Sequence, residues 1–144
     1  MTGPGVMTHA EAVRLYHIGG VLHREHKISN DDLDWAIRLL HSKPVISTEK
    51  NRSKKIRRVI SNLGGLNSSF TAAQLKKRTQ AIFPFLRDKD ALVRASAVIA
   101  MMHEKRAIPQ LLRMQQDSDS LVRHWVSIAL QDLQTTARAS GAQR

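Results

Sequence analysis

Asp88-Lys89-Asp90-Ala91-Leu92-Val93-Arg94 and Asp117-Ser118-Asp119-Ser120-Leu121-Val122-Arg123 are two versions of one phrase. They agree at both aspartates and at the Leu, Val and Arg, and they stand 29 residues apart. The same offset pairs Ile82 with Leu111, Phe83 with Leu112, Phe85 with Met114, Ala97 with Val126, Ile99 with Ile128 and Ala100 with Ala129. A fixed period of this kind marks stacked structural repeats, in which no unit can bury its apolar surface alone. Asp90 and Asp119 stand where an N-cap belongs, each just before a stretch with helical spacing of apolar residues.

Upstream the period weakens but stays helical. Thr71 and Gln74 make a capping box, and Phe70 and Leu75 form a hydrophobic staple across it. That helix should run to about Phe85, bent or ended near Pro84. A helix over about 51–63 buries Ile56, Val59, Ile60 and Leu63 and stops at Gly64-Gly65. Ser29 or Asn30 caps another, with Asp31, Asp32 and Asp34 in its first turn, where the helix dipole favours anions. Thr8 caps the first, and Gly19-Gly20 within it predicts a kink or break. Pro109 fits the first turn of a short helix ending near Gln115. No stretch reads as a strand.

Composition agrees with an all-helical chain. The 144 residues are 42% hydrophobic but only 4% aromatic, so the core is aliphatic. That favours helices over sheets. With no cysteine, disulfides, thiolate zinc sites and cysteine nucleophiles are excluded. No run of apolar residues is long enough for a membrane span, and Met1–Ala10 lacks the pattern of a signal peptide. A cytoplasmic location is the expectation.

The repeated D-x-D-x-x-V-R phrase resembles the short bacterial form of the HEAT-like repeat family, over Lys76 to about Leu133. The resemblance implies an all-α, right-handed α-solenoid of antiparallel helix pairs, with about six to seven helices in a single domain. Its concave face would hold a peptide, a protein or nucleic acid. Residues 1–7 then form a flexible leader and 137–144 a flexible tail. Between them, 8–45 are capping helices, 46–70 a degenerate repeat and 71–136 two clear repeats. In the degenerate repeat, Ile56-Arg57 with Ile60 and Leu63 mimics Val93-Arg94 with Ala97 and Ala100, but Arg52 and Lys54 lie nearby in place of an Asp pair.

Charge locates the candidate site. The net charge is +11. Residues 1–50 carry six Lys/Arg and six Asp/Glu, and residues 88–144 are nearly balanced. Residues 50–87 hold ten cations and no acid. Lys50, Arg52, Lys54, Lys55, Arg57, Arg58, Lys76, Lys77 and Arg78 are therefore the expected contacts to a polyanion. Lys54, Arg57, Arg58 and Ser61 share a helical stripe. With no recognition-helix motif and no aromatic stacking platform, binding to nucleic acid would be tolerant of sequence. The competing reading is an adaptor or inhibitor that receives an acidic protein, and self-association through the open last repeat is a third option. Arg94 and Arg123, recurring with Asp88, Asp90, Asp117 and Asp119, read as structural ion pairs rather than phosphate contacts.

Catalysis finds no support. No Ser-His-Asp order and no phosphate-cradling Gly loop is present. His23 and His26 sit three residues apart, but a metal site needs further ligands. The expectation is a binding module with no cofactor and no metal. Trp125 stands where the other repeat has Ser96 and reads as core; Trp35 fits either a core or a surface position.

Overall fold

A computed structural model describes residues 5–64 and 67–142, with 136–142 known by backbone course alone. Gly65, expected to help stop a helix, lies outside the described residues. Among those described there are seven α-helices and no strand: α1 (His9–Glu25), α2 (Asn30–His41), α3 (Glu49–Leu63), α4 (Ala72–Ile82), α5 (Ala91–Ala100), α6 (Ile108–Arg113) and α7 (Ser120–Ala142). The chain divides into two compact units, Met1–Ala81 and Ile82–Arg144.

In the first unit every helix start is chemically fixed. Thr8 and Glu11 form a reciprocal capping box at α1. Ser29 accepts from the Asp32 amide at α2, and Thr48 from the Asn51 amide at α3. The Thr71–Gln74 box is present at α4, and the Gln74 amide also donates to Ile28 O and Asn30 Oδ1, tying α4 to the α1–α2 connection. Such caps satisfy amides that a helix leaves unpaired, at about 1 kcal/mol each.

Leu15, Ile18 and Leu22 of α1, Leu33, Ala36, Leu39 and Leu40 of α2, and Ile56, Val59, Ile60 and Leu63 of α3 are buried. α3 packs on both α1 and α2. Helix α1 runs unbroken through Gly19-Gly20, so the break expected as one outcome there does not occur. Packing explains the pair's position: a Cβ on Gly19 would collide with the Asn62 side chain of α3. α1 ends at His26, whose left-handed φ of 53° turns the chain, while its amide donates to Leu22 O. The flexible leader is also corrected in part. Val6 and Met7 are buried, and Gly5 O accepts from the Ile46 amide.

In the second unit the two Asp-x-Asp turns carry the same hydrogen bonds. Asp90 accepts from the amides of Leu92 and Val93, and Asp119 from those of Leu121 and Val122. Asp88 accepts from the Asp90 amide, and Asp117 from the Asp119 amide. Arg94 donates back to Asp88 O, and Arg123 to Asp117 O. Arg94 also forms a two-pronged ion pair with Asp117, at 3.0 and 2.9 Å, joining one turn to the next. Burial repeats as well. Val93 and Val122, Ala97 and Val126, and Ile82 and Leu111 are all buried, whereas Leu92 and Leu121 are both exposed. Trp125 is half-buried, its ring edge-on to His124. α7 continues to Ala142, into the segment expected to be a tail.

Candidate functional site

Helix α3 is the centre of the basic stretch. Its apolar residues and Ser53 turn inward, so other positions must face water. Lys50, Lys54 and Arg58 follow one another at four-residue intervals, all exposed, and among the described residues none of them makes an ion pair. They form a continuous line of unneutralised charge along the helix.

The remaining expected contacts divide. Arg52 is held by Glu49 through two short hydrogen bonds of 3.0 and 2.9 Å, and Lys77 by Asp34 at 2.9 Å. Arg57 is half-buried and donates to Ser53 Oγ on its own helix. Lys76 is exposed on α4, with no ion pair among the described residues. Arg87, the tenth cation, belongs to the second unit and donates to Gln110.

Two of the expected contacts are not on the surface. Lys55 is 1% exposed, and its Nζ donates to Ser42 Oγ at 2.9 Å, while that hydroxyl donates to Leu39 O. Burial pushes the Lys55 ammonium below the ordinary lysine range, and the charge of Glu11 offsets only part of this. Arg78 is 2% exposed. It donates to Leu63 O and Asn67 Oδ1 and lies over the Phe70 ring, 4.8 Å from its centre. It thereby binds the end of α3 to the segment before α4. Both residues are corrected from surface contacts to interior ones. Lys55 lies four residues before Val59 and eight before Leu63, and Arg78 lies four before Ile82, so helical spacing turns both inward.

The structure adds a feature that charge counting did not reveal. A pocket of about 870 Å³ lies within the first unit, between the C-terminal half of α1 and the end of α3. Gly19 and Gly20 form part of its lining, and the places their side chains would take are filled by the Asn62 side chain and the Arg24 guanidinium. The Arg24 guanidinium folds back along α1, so that a Cβ on Gly20 would stand 3.0 Å from its Nη1. Arg58 and Asn62 line it from α3, and His17, His23 and His26 contribute imidazoles. No Asp or Glu lines it. The clustered histidines and the glycine pair were the available signal in the sequence. Among the described residues no group of three His, Asp or Glu could hold a metal ion.

The structural residues Arg94, Arg123, Asp88, Asp90, Asp117 and Asp119 all lie in the repeated turns of the second unit. Burial alone would raise the Asp117 carboxyl. The Arg94 hydrogen bonds, the Asp119 amide and the charges of Arg94 and Arg123 outweigh it and hold the carboxyl below the usual range. Among the described residues no helix is long and apolar enough to cross a membrane. No protein-family model, no curated protein and no solved structure matches this chain.

Proposed function

We propose that this protein is a non-catalytic binding module that engages a polyanion, nucleic acid without strong sequence preference, through α3 of its first unit. The observation that carries the reading is the line Lys50, Lys54, Arg58. Among the described residues these three exposed cations have no ion pair, and they lead to a pocket that no described acid lines. A line of like charge costs the folded state through self-repulsion, which bound phosphates relieve. The second unit is read as a HEAT-like stack of helix pairs that acts as scaffold. The matched hydrogen bonds of its two Asp-Arg turns and the Arg94–Asp117 link support that reading.

Salt dependence tests the function. Duplex affinity measured by anisotropy should fall steeply between about 50 and 200 mM salt. In the triple variant K50E/K54E/R58E the slope of log K against log salt should shrink by about 0.9 for each lost phosphate contact. Its circular dichroism should remain helical. Unchanged binding by that variant would move the interface off α3. Failure of the wild-type chain to bind any nucleic acid at low salt would remove the reading and favour an acidic protein partner.

A further inference from the structure

The pocket beside α3 offers more than charge. Tyr16, Gly20 and Arg24 stand at four-residue intervals on α1, so one face presents a ring, a bare backbone position and a guanidinium in that order. Tyr16 is 78% exposed, and its neighbour on the rim, Val13, is 54% exposed. The Tyr16 ring makes no hydrogen bond or ring contact among the described residues. The Arg24 guanidinium folds back over Gly20, and Arg58 lines the same pocket from α3. The volume lies within the range of small-molecule sites.

An exposed aromatic face lining one pocket with two guanidiniums is the chemistry that takes an unstacked base with its phosphate. A duplex offers phosphates but keeps its base faces stacked. We propose that this pocket holds one nucleotide of a single strand, with its base on Tyr16 beside Val13 and its phosphate between Arg24 and Arg58. The line Lys50, Lys54 tracks the rest of the backbone away from Arg58. The inference rests on the polyanion reading and adds to it a preference for single-stranded over duplex nucleic acid.

The test compares labelled oligothymidylate with a duplex of equal length, by anisotropy at one salt concentration, on the full chain. Wild type should prefer the single strand. Tyr16→Ala should weaken single-strand binding by roughly 5- to 100-fold, the loss of one stacked base, and leave duplex binding unchanged. Tyr16→Phe should bind as wild type, because it keeps the stacking face. Gly20→Leu puts a side chain where the Arg24 guanidinium lies and should remove the single-strand preference, while Tm should not fall, since leucine is the better helix former. Equal binding of both probes, or normal single-strand binding by Tyr16→Ala and Gly20→Leu, overturns the pocket assignment and leaves the α3 reading standing. Failure to bind either probe overturns both.

Discussion

Lys55 shows how a cation is misplaced when charge is counted and spacing is not. It belongs to the stripe of Val59 and Leu63, so the helix carries it inward, and Ser42 is its hydrogen-bond acceptor. An ammonium in such a place stabilises the fold poorly, because burial disfavours the charged form. Its pKa in the folded chain is below that in the unfolded chain, so the unfolded chain holds more protons between the two values. The penalty is therefore full at pH below the folded pKa and fades as pH rises toward the unfolded one. Lys55→Met keeps the stem and leaves Ser42 bonded to Leu39 O. It should stabilise the protein by about 1–3 kcal/mol near neutral pH. It should also abolish the gain in stability that the wild type shows as pH rises from the lowered Lys55 pKa toward the ordinary lysine range, read by urea melts. Arg78 was legible in the same way, through its spacing to Ile82. The burial of Val6 and Met7 had no such signal, since neither belongs to a helix whose period could place it.

At the scale of elements, the helices were the most readable part of the chain because their ends carry their own chemistry. Thr71–Gln74, Ser29 and Asp90 declare their caps in the order of residues, and the structure places hydrogen bonds at each. Contacts between elements were harder to read. Gly19 gives no sign in the sequence that it lets α1 approach Asn62, so the glycine pair reads as a break when it is a packing surface. The pocket stayed hidden for the same reason, being made by two helices and by neither alone. The turns before α5 and α7 share one dependency, the Arg94–Asp117 pair. Both side chains are largely buried, and the depressed Asp117 carboxyl contributes stability above the usual carboxylate pKa. That contribution is lost as pH falls through the lowered value. Asp117→Asn should cost about 2–3 kcal/mol near neutral pH, the worth of hydrogen bonds to a charged group. Its loss of stability between about pH 5 and pH 3 should be smaller than that of wild type, measured by denaturant titration.

Across the whole molecule, charge and regularity are divided between the two units. Met1–Ala81 carries fourteen Lys and Arg against six Asp and Glu, and Ile82–Arg144 nine against six. Much of the smaller excess in the second unit is spent on its own turns, where Arg94 and Arg123 hold backbone carbonyls. Hydrogen exchange with and without oligothymidylate should therefore protect amides of α1 and α3 and leave α5 and α7 unchanged. Protection confined to α5 and α7 would contradict this division of roles. The sealed position of Lys55 has a use beyond its energetics. Amine-acylating reagents reach exposed lysines such as Lys50, Lys54 and Lys76 at once, but they meet Lys55 only when the first unit opens. Mass spectrometry at that one side chain would time the opening of this unit, and slower labelling in the presence of ligand would measure how far the occupied interface holds it shut.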